Sequence, residues 1–361
     1  MPHPSNHVYF VHGIGKHGKE WLDEADDGTT PREQLADAWK RYGKSLGKME
    51  DHLRLVPICY DNVYTDLYAA WSEAVATLRT HLVGHPGAAD TLKPLLDAAE
   101  RPANGVANDE FLFTHVFDLL WYWGNSLVQG KIVSSVARQI LDDLVNYYEK
   151  PGNSFSIVAH SMGTSVVHKV LQALYTEPQY RDRLSSRLKF KVVMQISNTS
   201  YALSANRDSH YTNVVKPSAY ANAGVCWTMI NVACRYDPVS ELIPFDPPAD
   251  WLDSYSQSSG SYLAVRTARI ATPNVHSIAR YIENPLVHIP LFERLRGVTI
   301  PAPLKKKAFE EFDARTPEGA FKQVKGQFEN LINSSGTSTP EFIAAVKQFM
   351  DLVRTFGSAV P

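Results

Sequence analysis

One ten-residue stretch, Ser154-Phe155-Ser156-Ile157-Val158-Ala159-His160-Ser161-Met162-Gly163, constrains this chain more than any other. An apolar run stops at a small-X-Ser-X-Gly pentapeptide. A helical pattern starts at once, with Val166, Val167, Val170, Leu171 and Leu174 recurring at spacings of three and four. A strand delivered straight into a helix requires a sharp turn at the serine. The residues two before and two after it must be small, because strand and helix backbones close on each other there, and Ala159 and Gly163 meet that need. Such a turn holds its serine in a strained conformation with Oγ clear of the strand's carboxyl end. A bare Ser-X-Gly also occurs by chance; the strand before it and the helix after it give this one its weight.

The rest of the chain supplies a rhythm into which that turn fits. Val8-Tyr9-Phe10-Val11 reads as a buried strand ending in His12-Gly13-Ile14-Gly15. Thr30-Pro31-Arg32-Glu33 is a capping box with proline at the first helical position, and Leu35, Trp39, Tyr42 and Leu46 mark one apolar face beyond it. Leu53 to Tyr60 is the next strand, Asn125 to Tyr148 a long amphipathic helix, and Leu188 to Ser197, Val225 to Cys234 and Ser261 to Ile270 further strands. This order predicts an α/β fold, a mostly parallel central sheet flanked by helices, in a single domain over residues 1–361. Residues 62–126 break the rhythm: they form either extra core helices or a helical cap or lid over a hydrophobic pocket, a use suggested by the nearly continuous apolar run from Phe111 to Trp123. Asn198 to Ala223 is a long polar and aromatic loop expected to border the site. From Pro285 the sheet rhythm ends. Thr316-Pro317-Glu318 and Thr339-Pro340-Glu341 open helices, so 285–361 is expected to be a helical extension used for packing or for an oligomer contact.

Composition narrows the partners. A net charge of −2 gives no general electrostatic case for nucleic acid. Three cysteines, Cys59, Cys226 and Cys234, without a C-x-x-C make no disulfide framework. There is no basic amino-terminal region followed by an apolar run and no 18-residue apolar segment, so the expectation is a cytoplasmic protein without a transmembrane segment. Gly13, Gly15 and Gly18 fit G-x-G-x-x-G after a strand, which raises a dinucleotide loop. That loop needs a helix whose amino end faces the pyrophosphate. The residues after Gly18 include Asp23, Glu24, Asp26 and Asp27, poorly suited to lie near phosphates. The competing reading is an oxyanion loop, in which His12-Gly13 turns the backbone N–H of Ile14 toward a developing alkoxide.

A serine hydroxyl is a weak nucleophile at neutral pH. It needs a base within hydrogen-bond reach, and the base needs an acid to fix its tautomer. On a parallel sheet these groups sit on separate loops beyond strand ends, and for a serine on such a strand–helix turn the expected chain order is Ser, Asp, His. Asp237 follows a buried strand, and His276 follows the last candidate strand. Asp208, Asp246, Asp250 and Asp253 are rivals for the acid, with Asp246 and Asp250 also close behind the strand; His210 and His288 are rivals for the base. His160, beside the serine, is expected to point away from the site and to be structural.

Val11-His12-Gly13-Ile14-Gly15 together with Ala159-His160-Ser161-Met162-Gly163 resembles the α/β-hydrolase superfamily, and most of all bacterial lipases and esterases with alanine in the first pentapeptide position. The resemblance covers roughly residues 7–61, 125–200 and 224–284. It implies a Ser161–Asp237–His276 triad and an oxyanion hole from the backbone N–H groups of Ile14 and Met162, with His12, Gly13, Ala159 and Gly163 supporting loop and elbow. The implied activity is hydrolysis of a small-molecule carboxylic ester, with acyl chains of medium length or longer suggested by residues 111–123, and without a metal or organic cofactor. Thioesterases, amidases and acyltransferases share that fold, and a binding or scaffold protein built on it is a further alternative.

Overall fold

In a computed structural model of the chain, the residues described are 5–15, 17–25, 28–66, 73, 76, 77, 80, 122, 125–147, 150, 152–184, 188–204, 206–241, 243–268 and 275–313. They form six strands: β1 (Asn6–Val11), β2 (Leu53–Ile58), β3 (Ser154–His160), β4 (Phe190–Ile196), β5 (Cys226–Cys234) and β6 (Tyr262–Thr267). Six helices of six or more residues accompany them: α1 (Pro31–Lys40), α2 (Ser126–Tyr147), α3 (Met162–Thr176), α4 (Ile278–Glu283), α5 (Pro285–Arg296) and α6 (Ala302–Asp313). The expected cap, 62–126, lies largely outside the described residues, as do the helices expected to open at Thr316 and Thr339.

All six strands are parallel, in the order β2-β1-β3-β4-β5-β6. The chain first steps from β1 to β2 in one direction, then crosses back over β1 to β3 and continues the other way. Right-handed crossovers in opposite directions place their helices on opposite faces. Accordingly α1 packs on one face, and α2 and α3 on the other. The reversal leaves a crevice between the carboxyl ends of β1 and β3, the position where open α/β sheets bind ligands.

Burial explains the strand compositions. β1, β4 and β5 are buried along most of their length and are mainly apolar, as parallel strands covered on both faces require. β2 is an edge strand and only half-buried, which is why it tolerates Pro57, a residue with no N–H for a second neighbour. On one face Ile132, Val136, Ile140 and Leu144 of α2, spaced by four, pack against Val166, Val170 and Leu174 of α3 and the strands beneath. On the other, α1 meets α5 through Trp39 and Phe292, whose rings cross edge to face at 4.9 Å. Burying each such side chain is worth about 1.5–3 kcal/mol. The capping box of α1 forms as its sequence suggests: Thr30 Oγ1 accepts from Glu33 N at 3.1 Å, and Glu33 Oε2 accepts from Thr30 N at 3.1 Å. No helix among the described residues is long and apolar enough to cross a membrane.

Candidate active site

The turn between β3 and α3 leaves Ser161 at φ 53° and ψ −128°, a conformation that costs about 1–3 kcal/mol for a residue with a Cβ. Its backbone is tied on both sides. The N–H donates to Ile196 O at 2.9 Å. The carbonyl accepts from Thr164 N at 2.9 Å, Thr164 Oγ1 at 2.7 Å and Thr199 Oγ1 at 2.9 Å. The closeness of strand and helix is acute at Gly163, where an added Cβ would stand 2.2 Å from His12 O and 2.8 Å from Val11 O. At Gly13 it would stand 2.8 Å from the Ser161 Cβ, so the loop after β1 passes directly against the turn at Ser161. Ala159 pairs with Val11 on β1 and with Gln195 on β4 and is fully buried.

The three side chains singled out in the sequence meet. His276 Nε2 lies 3.0 Å from Ser161 Oγ, and His276 Nδ1 lies 2.9 Å from Asp237 Oδ2. A carboxylate on Nδ1 fixes the proton there and leaves Nε2 to accept from the serine hydroxyl. Asp237 follows β5 and is wholly buried. Its Oδ1 accepts from Val239 N at 3.0 Å, and its Oδ2 also accepts from Tyr281 OH at 2.7 Å. Burial alone would raise the Asp237 carboxyl, but the charge of His276 and the bonds from His276, Tyr281 and Ser197 outweigh it and hold the group below the usual carboxylate range.

The rivals are accounted for elsewhere. Asp208, Asp246 and Asp250 are exposed, and Asp253 caps a short helix at Ser254–Ser258 by accepting from Ser256 N at 2.9 Å. His210 stacks on His168 with ring centres 4.0 Å apart. His288 is buried between Tyr42 OH at 2.9 Å and Ile282 O at 2.8 Å.

The loop after β1 is built around a neutral histidine. Burial, followed by the nearby His17, holds His12 well below its ordinary value. The neutral ring donates from Nδ1 to Gly13 O at 2.7 Å and accepts at Nε2 from Tyr60 N at 3.3 Å. It stacks on Tyr60 with ring centres 4.1 Å apart. Tyr60 OH in turn reaches His12 O at 2.9 Å and Gly13 O at 3.0 Å. With the Gly13 carbonyl so engaged, the planar trans peptide directs the Ile14 N–H to the opposite side. The Met162 N–H is the first of α3 and has no acceptor within the helix. Beyond Gly18 the chain makes a three-residue 3-10 turn, Trp21–Asp23, rather than the helix a dinucleotide loop requires.

His160 corrects the expectation drawn from its place beside the serine. It does not point away: its Nε2 lies 2.6 Å from His276 O, and the two rings are 4.8 Å apart. Burial, then the charge of His276, lowers it to about 3, so the neutral ring donates that bond. The alternation of side chains along a strand ends at the turn, and the loop carrying His276 folds down over His160.

Four further residues surround the site without a signature in the sequence: Tyr281 on Asp237, Tyr60 on the loop after β1, and Thr164 and Thr199 on the Ser161 carbonyl. Ser197 is a fifth. Its Oγ lies 3.4 Å from His276 Nδ1, and with Ser161 it is one of the two non-glycine residues at positive φ among the described residues, at 51°. Both ends of the 62–126 segment also reach the start of α3: Tyr64 OH lies 3.8 Å from Met162 Sδ, and Tyr122 OH lies 3.4 Å from Ser165 Oγ. Among the described residues, no group of three or more His, Cys, Asp or Glu is placed to hold a metal ion. Comparison with protein-family models, with curated proteins and with solved structures finds no significant match to this chain.

Proposed function

We propose that this chain is a serine carboxylic-ester hydrolase of the α/β-hydrolase type. The observation that carries the reading is His276 bridging Ser161 at 3.0 Å and Asp237 at 2.9 Å in the crevice where the strand order reverses. In this reading Ser161 Oγ attacks the ester carbonyl and passes its proton to His276 Nε2, while Asp237 stabilises the imidazolium. The tetrahedral oxygen receives the N–H groups of Ile14 and Met162, each such donor being worth about 2.7–4 kcal/mol in the transition state. The amino end of α3 adds a favourable dipole. As the intermediate collapses, the C–O bond to the alcohol breaks and His276 returns the proton to the departing oxygen. Water, deprotonated by His276, then releases the acyl group and restores Ser161.

The 62–126 segment leaves and re-enters the described fold beside α3, which supports its use as a cap over the acyl chain. The test is turnover of p-nitrophenyl esters of graded acyl length by the protein and by Ser161→Ala. Loss of at least about a thousandfold in kcat in a variant with unchanged circular dichroism is expected. Activity that falls steeply with acyl length would remove the preference for medium or longer chains. A folded protein that turns over no ester would shift the assignment to an amidase, a narrow acyltransferase or a non-catalytic scaffold.

A further inference from the structure

A cavity lies at the end of the sheet opposite Ser161. A cleft of about 460 Å³ opens against the amino ends of β1, β3, β4 and β5, a volume in the range of small-molecule sites. Ser154 lines it at the start of β3, and the seven residues of that strand separate it from Ser161 by about 23 Å. Its lining includes Lys189, Lys191, Arg296, His52 and Trp227, and no aspartate or glutamate among the described residues.

The three permanent cations are held in place by carbonyl groups rather than by acids. Lys189 Nζ donates to Ser218 O at 2.6 Å and Tyr220 O at 2.5 Å, and lies 4.1 Å from the centre of the Trp227 ring. Lys191 Nζ donates to Leu295 O at 2.9 Å, and Arg296 Nε donates to Leu46 O at 3.1 Å. Carbonyl dipoles fix the positions of these groups and leave their charge uncancelled. No ion pair among the described residues involves Lys189, Lys191 or Arg296. The cost is visible in the neighbours. Burial lowers both ammonium groups, and Arg296 lowers Lys191 further. Burial and Arg296 lower His52, against which only Asp51 works. Concentrating like charge in a partly buried cleft opposes folding unless a counter-charge enters.

We infer that this cleft binds a small molecule bearing a phosphate or diphosphate group, held by Lys191 and Arg296 beside the fixed charge of Lys189. Lys191 retains two N–H donors and Arg296 its terminal nitrogens, the bidentate arrangement that suits phosphate oxygens. A monocarboxylate would cancel one of three charges, whereas a phosphate monoester or diphosphate meets more of them. Trp227 is 42% exposed and offers a flat surface for the remainder of the ligand. The site is independent of ester chemistry at Ser161.

Calorimetric titration with sodium pyrophosphate at physiological ionic strength tests this, with phenyl phosphate and benzoate as separate arms. Saturable binding of pyrophosphate and phenyl phosphate is expected, with benzoate weaker. Lys191→Gln and Arg296→Gln should each weaken pyrophosphate roughly tenfold or more. Lys306→Gln, a surface lysine 3.8 Å from Glu310, and Ser161→Ala should leave it unchanged. Binding retained in Ser161→Ala separates this site from the proposed catalytic one, whatever the fate of the ester assay. Arg296→Gln carries the test if Lys191→Gln does not fold. The inference is overturned by the absence of saturable heat, by equal affinity in the cleft variants and the wild type, or by benzoate binding as tightly as phenyl phosphate.

Discussion

Lowering the pH from 7 to 5 should destabilise this protein severely. His160, His210 and His288 are buried, and burial is the first cause that lowers each: His160 and His288 to about 3 and His210 to about 4, from an ordinary value of 6.5. A group depressed in the folded state stabilises it fully above the unfolded value, and that stability is lost as the pH falls toward the folded value. Below pH 6.5, therefore, the unfolded chain takes up protons that the native chain refuses. At pH 5 the gap is about 1.5 units, or about 2 kcal/mol per histidine and about 6 kcal/mol for the three. His12 and His168, held well below the ordinary value by burial first, act in the same direction. Asp143 and Asp237 are lowered from 3.8, so the stability they contribute is lost only at still lower pH. A total folding free energy of about 5–15 kcal/mol would be largely consumed. Urea unfolding followed by circular dichroism at the two pH values measures the difference. His288→Gln, which can still accept from Tyr42 and donate to Ile282 at a position remote from Ser161, should lose about 2 kcal/mol less between them. Equal stability at pH 7 and pH 5 would refute the reasoning, because it would mean that these histidines take up their protons in the folded state.

Three substitutions examine the supports of the site. Tyr281→Phe removes the 2.7 Å bond to Asp237 and should lower kcat roughly tenfold on a p-nitrophenyl ester with KM little changed. Tyr60→Phe releases the carbonyls of His12 and Gly13; kcat should fall roughly tenfold and thermal unfolding should show a loss of about 1–3 kcal/mol. Gly163→Ala places a methyl group 2.2 Å from His12 O, so a loss of about 3 kcal/mol or more, or failure to yield soluble protein, is expected in expression and melting experiments.

The sheet is legible in the sequence because a parallel strand buried on both faces is mainly apolar, and β1, β3, β4 and β5 each contain a short apolar run ended by turn residues. α3 is legible for the same reason on its own period, and its observed span of Met162–Thr176 begins at the residue after the serine. α5 falls within the stretch expected to be helical from Pro285, but its course is not legible: Pro290 stands inside it, and a proline within a helix both removes a donor and breaks the periodic signal. Ser161, Asp237 and His276 can be picked out because each follows a strand, in the chain order that the resemblance to α/β-hydrolases implies. Tyr281, Tyr60, Ser197 and Thr199 cannot, because tyrosines, serines and threonines are common in loops and acquire their roles through contacts distant in sequence. His160 defeats a reading by strand alternation because it stands one residue before a turn that does not obey that alternation.

These unforeseen residues solve a common problem. A serine at φ 53° and a second at φ 51° are two unfavourable conformations within reach of one histidine. Neither persists unless its surroundings over-determine it. At Ser161 the surroundings are three donors on one carbonyl, two of them hydroxyls, and one of those hydroxyls belongs to Thr199 in the loop after β4. Thr199 is itself placed by Thr164 Oγ1, which accepts its N–H at 2.8 Å, so that loop and the first turn of α3 are locked to the same peptide. At Ser197 the N–H is held by Val232 O at 2.9 Å. The loop carrying His276 is then fastened from below by His160 on its carbonyl and at its ring by Asp237. The site is therefore assembled by β1, β3, β4, β5 and the loop before α4 together, and its geometry depends on the sheet being complete rather than on the elbow alone.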